Sequence, residues 1–186
     1  MTVREKAEQL GTFRWLEVFW METLARWVPT TPEMEVKVLF GRHIWDLAQH
    51  ADALGKRTFE LRAALHYTLP PLEPYRSLTE ELSSLEDTAE RVYVFYDVVV
   101  PGMAARYRGY LENTDDLLDE PSVRIIQRML QDGARMRQEA ELLRKELTNI
   151  RLIEQGLVQE WARREAEVNP IVAHGSGVAL ARGAES

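Results

Sequence analysis

The chain has 186 residues, 45% of them apolar, with no cysteine and a formal net charge of -7. That length and apolar content suit one domain with a substantial core and exclude disorder along the whole chain. Lack of cysteine excludes disulfides, thiolate zinc sites, iron–sulfur ligation and cysteine nucleophiles. The negative charge weighs against nucleic acid, whose phosphates would be repelled.

No apolar run approaches the roughly 20 residues that cross a bilayer. Residues 1–10 are charged and lack the apolar stretch of a signal peptide. The expectation is therefore a soluble, cytoplasmic bacterial protein with neither membrane nor nucleic acid as partner. Lysine occurs only at positions 6, 37, 56 and 145, and the preference for arginine reads as codon bias.

Helical periodicity predominates, and nothing reads as a sheet. A first helix is expected over residues 2–28, with Leu10, Phe13, Leu16, Trp20, Leu24 and Trp27 in steps of three and four. Pro29 ends it, and Thr30, Thr31 and Pro32 restart the chain. A second helix is expected over 32–68, carrying Gly41 and Gly55 at a local cost of about 1 kcal/mol each relative to alanine. Pro70, Pro71 and Pro74 mark a loop. Ser77 and Glu80 have capping-box spacing, so a third helix is expected from Ser77 through Leu82, Leu85, Ala89, Val92 and Tyr96. Pro101 and Gly102 should kink or break it before it resumes to Tyr110. An acidic loop over 113–120 leads to a fourth helix from Pro121. One helix running on to Val168 would be roughly 70 Å long, too long for a compact domain. A break is expected near Thr148 and Asn149, then a fifth helix through Leu152, Ile153, Leu157 and Trp161. The domain is placed at residues 1–168, with a flexible tail at 169–186 rich in Gly, Ala and Ser.

Short connections make helices one and two, and three and four, antiparallel hairpins. Two such hairpins pack as a four-helix bundle, leaving the fifth helix to cap the bundle or to dimerise. The fourth helix has a seam of Ile126, Met129, Gly133, Met136, Ala140 and Leu143. The second has Phe40, His43, Leu47, His50, Leu54 and Leu61. The first offers Glu17 beside Phe13 and Trp20. The third offers Glu86 beside Leu82, Ala89 and Tyr93, with Glu90 one position aside.

Residues 39–62 and 119–143 resemble the second and fourth helices of ferritin-like proteins, and the resemblance spans about 10–147. It implies an all-α, ferritin-like four-helix bundle. In the di-iron and di-manganese members, two helices supply one Glu each and two supply Glu-x-x-His. This chain has no Glu-x-x-His or Asp-x-x-His. His50 stands at the matching histidine with Leu47 in place of the carboxylate, and Gly133 and Met136 replace both ligands of the fourth helix. The resemblance therefore implies a degenerate di-iron site with no metal and no cofactor.

Several residues carry two readings. His50 is an acid/base group or a core histidine bonded to a carboxylate. His43, Asp46 and His50 form either a proton relay or a polar stripe stabilising one helix face. Glu17 and Glu86 on apolar seams mark a pocket, pair with arginine, or are exposed through a one-residue error of helix phase. Gly133 and Met136 leave space for a ligand or allow close helix approach. Three functions follow. In the first, an organic molecule binds in the bundle core, lined by His43, Leu47, Trp20, Tyr93, Gly133 and Met136, and undergoes a metal-independent step at His50, Glu17, Glu86 or Glu90. In the second, the chain is a non-enzymatic helical scaffold or interaction protein, a homodimer. In the third, a residual metal centre serves an oxidase or oxygenase.

Overall fold

The computed structural model describes residues 1–147 and 152–172. Every regular element among them is helical. The long helix α1 (Val3–Trp27) is opened by a capping box: Thr2 accepts from the Glu5 amide, and the Glu5 carboxylate accepts from the Thr2 amide. Its expected seam is buried from Leu10 to Trp27. A 3-10 turn (Val28–Thr30) carries Pro29, and α2 (Met34–Glu60) returns along α1.

The expected extension of this helix to Thr68 is not observed. Leu61 caps α2, and Arg62 turns into the left-handed region at φ 65°. The chain then crosses back over α1, where the Leu69 amide donates to the Gly11 carbonyl at 3.2 Å. The third helix also differs from expectation. α3 (Glu73–Ser83) begins with Pro74 in its first turn, where the missing N–H costs nothing, so Pro74 opens the helix rather than marking loop. Ser77 is interior, and its hydroxyl donates to Glu73 rather than capping. The chain breaks after Ser83 and restarts at α4 (Thr88–Tyr93), whose N-terminus is capped by Asp87 accepting from the Glu90 amide at 3.0 Å.

A π-helical turn (Val94–Val99) and α5 (Val100–Asn113) continue α4 without interruption. Of the kink or break expected at Pro101 and Gly102, the break does not occur: the widened turn lies just before the proline, which enters as a first-turn residue of α5. α6 (Glu120–Glu146) and α7 (Gln155–Glu167) complete the described chain. The break expected at residues 148–149 lies outside the described residues, as does the tail from 173. Ile171 and Val172 are buried, so the packed chain reaches past the expected boundary at 168.

α2 packs against α6, and α6 against the π turn and α5. Side chains of α1 meet those of the π turn and α5, with Trp20 on Phe95 and Phe13 on Tyr107. Four helical stretches thus share one core.

α7 is locked onto this core by a buried ion pair. Arg106 pairs with Glu165, donates to the carbonyls of Gly102, Glu165 and Val168, and stacks on Tyr75 at 4.3 Å. The Tyr75 hydroxyl donates to Glu165 at 2.6 Å. A Cβ at Gly102 would stand 2.1 Å from the Glu165 carboxyl. Gly102→Ala is therefore expected to destabilise the protein by about 1–3 kcal/mol and to loosen α7. Thermal unfolding measures the first effect, and faster amide exchange confined to 155–167 the second.

Candidate functional site

Four helices each send one polar side chain to the same level of the core. Glu17 comes from α1, His50 from α2, Tyr107 from α5 and Asp132 from α6. Their positions follow from the helix seams: Glu17 lies between Phe13 and Trp20, and His50 between Leu47 and Leu54. His50 Nδ1 donates to Glu17 Oε2 at 3.1 Å, and Nε2 donates to Asp132 Oδ2 at 3.1 Å. The Tyr107 hydroxyl donates to the other oxygen of Glu17.

Burial alone would lower the His50 pKa. The Glu17 and Asp132 carboxylates on either side of the ring outweigh it and raise the pKa to about 9. His50 is therefore an imidazolium at neutral pH, with a carboxylate on each nitrogen. Burial also works against the Asp132 charge, yet hydrogen bonds from His50 and Arg135 hold its carboxyl below the ordinary range. Burial first, then the Glu17 carboxylate, push the Tyr107 phenol well above its usual value.

His43, two turns away, is set differently. Burial is the largest influence and lowers its pKa despite the Glu139 carboxylate. The neutral ring accepts from the Tyr96 hydroxyl at Nδ1, 2.7 Å, and donates from Nε2 to Glu139 at 3.3 Å. The His43–Asp46–His50 relay does not form. Asp46 pairs with Arg135 at 2.9 Å, and Arg135 also bonds Asp132 and Glu139. Arg135 and its carboxylates join the two histidines.

An open groove of about 340 Å³ reaches His50 from outside, past Gln49, Ala53, Arg128 and Met129. The inner cavity beside His50 is lined by Glu17, Leu47, Phe95, Met103, Tyr107, Met129, Gly133 and Met136, and measures about 20 Å³. That is room for one water. Gly133 is also a point of close helix approach, since a Cβ there would sit 3.3 Å from Val100 Cγ1.

The remaining candidates lie elsewhere. Glu86 is exposed in the turn between α3 and α4, and Glu90 is in the first turn of α4, so neither joins His50. The Asp87 cap, which restarts the helix, removes Glu86 from the seam that Leu82 and Ala89 suggested. Trp20 is fully buried against Phe19, Trp27 and Phe95, and Tyr93 lies under Arg144 at 4.5 Å; neither lines the cavity. Asp132, Tyr107 and Glu139 do not stand out in the sequence as site residues. Tyr107 falls on an apolar pattern that hides its hydroxyl, and Asp132 neighbours Gly133, the residue that drew attention instead.

The donor set does not fit the dimetal centre that ferritin-like resemblance implies. As arranged, His50 presents N–H on both sides, and among the described residues no three His, Asp or Glu side chains are grouped to hold a metal ion. No family model, curated protein or solved structure matches the chain. Among the described residues, no helix is long and apolar enough to cross a membrane.

Proposed function

We propose that this chain is a ferritin-like bundle that works as a helical interaction protein through its outer faces. The supporting observation is the closure of its centre. Both nitrogens of His50 and both oxygens of Glu17 bond to the protein itself, beside room for one water. The Glu17–His50–Asp132 triad, with Tyr107 on Glu17, then fixes how four helices sit against each other, a registry role known for buried polar groups. The outer faces carry large apolar side chains, Trp45 on α2 foremost at 66% exposed.

The methionines beside His50 provide the test. Met103, Met129 and Met136 line the cavity and are flexible enough to repack around an organic molecule. Their methyl resonances are expected to stay unmoved as a library of small organic compounds is titrated in. A compound that shifts all three at stoichiometric ratio would overturn this reading and return the function to the core.

A further inference from the structure

α2 carries two seams. One is buried in the core: Val36, Phe40, His43, Leu47, His50 and Leu54. The other lies on the opposite side and points to solvent. Met34, Val38, Gly41 and Trp45 follow each other in steps of four, three and four, the spacing of alternating d and a positions in a coiled coil. Met34 is 64% exposed, Val38 48% and Trp45 66%, and nothing lies within 4 Å of where a Gly41 Cβ would be. Glu35 and Arg42, both exposed, follow the two d positions and flank the seam on one side. The carboxylate that pairs with Arg42 is Glu139, 3.8 Å away. Leu142 of α6, 52% exposed, borders the same flank, where Met34, Val38 and Leu142 line a groove of about 420 Å³.

We propose that this seam is the contact between two copies of the chain, paired through antiparallel α2 helices; the proposal rests on the interaction reading above. The pattern selects the occupant because it complements itself. Antiparallel packing sets each a position against a d position of the other helix. One register does this for all four residues. Val38 meets Gly41 of the second copy, and Met34 meets Trp45 of the second copy. In that register Glu35 faces Arg42 of the second copy, twice over by symmetry. The glycine permits close approach at the middle, and each indole settles at the lip of the other copy's groove. An isologous contact of this kind closes on itself and yields a dimer rather than a filament. Ile44 and the stem of Lys37, both half-buried, close the opposite flank.

Sedimentation equilibrium of the full chain over a wide concentration range tests this. The wild type is expected to show a reversible monomer–dimer equilibrium. Trp45→Glu is expected to weaken it on the order of tenfold or more, as removal of an aromatic anchor does. Trp45 is exposed, so unchanged circular dichroism and melting separate this loss from misfolding. Glu35→Arg and Arg42→Glu should each weaken the dimer, and the double variant E35R/R42E should restore it. The two positions lie two turns apart on one helix, so the rescue has to act between copies. A monomeric wild type, a dimer indifferent to Trp45→Glu, or a double variant no better than the singles would each overturn the proposal. None of these results moves the methionine methyl signals, so its failure is distinguishable from failure of the interaction reading.

Discussion

Replacing His50 with leucine is expected to destabilise the protein by about 3–5 kcal/mol, because it leaves Glu17 and Asp132 facing each other without the cation between them. His50 is 4% exposed and Glu17 1% exposed, so water cannot take over. Removing the opposing charge as well should recover part of the loss: Glu17→Leu in the His50→Leu background is expected to melt above the single variant. The same ion triad makes stability depend on pH. The folded pKa of His50 is raised to about 9, above an unfolded value of about 6.5. A raised pKa means that the folded state holds the proton more tightly. Its contribution is complete below about pH 6.5, declines as pH rises, and is gone above about pH 9. The shift corresponds to a contribution on the order of 3 kcal/mol. Urea unfolding at about pH 6 and about pH 10 checks this, with His50→Leu as reference to subtract other titrating groups. Equal pH dependence in the wild type and the variant would sink the assignment.

The seams of α1, α2 and α6 are legible in the sequence, and with them Glu17 and His50 as polar residues on buried faces; their bond to each other is not. Helical phase is repeated many times along a long element, so single errors average out. The short elements offered no such averaging. Ser77 and Glu80 imitate a helix start, while the operating starts are Pro74 and Asp87. Once the chain restarts at Asp87, the phase carried from Leu82 to Glu86 no longer holds, and that carboxylate leaves the core. Asp132 shows the other limit. It is one residue from the seam glycine, and a one-residue difference in phase separates a surface carboxylate from one that bonds His50. Periodicity alone does not resolve that difference; it depends on where α6 begins.

Asp119 stands at the start of α6, where its carboxylate ties the helix to its neighbours, and Asp119→Ala is expected to cost about 3–5 kcal/mol. It falls in the stretch expected as an acidic loop, yet it is 1% exposed. Its carboxylate accepts from Tyr110 at 2.6 Å, Thr114 and Ser122 at 2.7 Å and Arg57 at 2.8 Å, and pairs with Lys6 at 3.3 Å. Burial alone would raise its pKa, but the bonds from Tyr110, Ser122, Arg57 and Thr114 hold it well below the carboxylate range. A depressed pKa reverses the sense found at His50. The contribution is complete above the unfolded value of about 4 and is lost as pH falls through the folded one. Asp119→Ala should accordingly flatten the acid limb of the stability curve. The second consequence reaches the site. These bonds tie the start of α6 to α1, α2 and α5, and their loss is expected to change the rotation that brings Asp132 to His50. With the anchor removed, Asp132 turns away and the His50 ring loses one of its two carboxylates. Its titration, followed by ring proton resonances in the folded variant, should move down from about 9 toward the ordinary histidine value. A variant that is destabilised but still titrates as the wild type would show that α6 keeps its phase by packing alone.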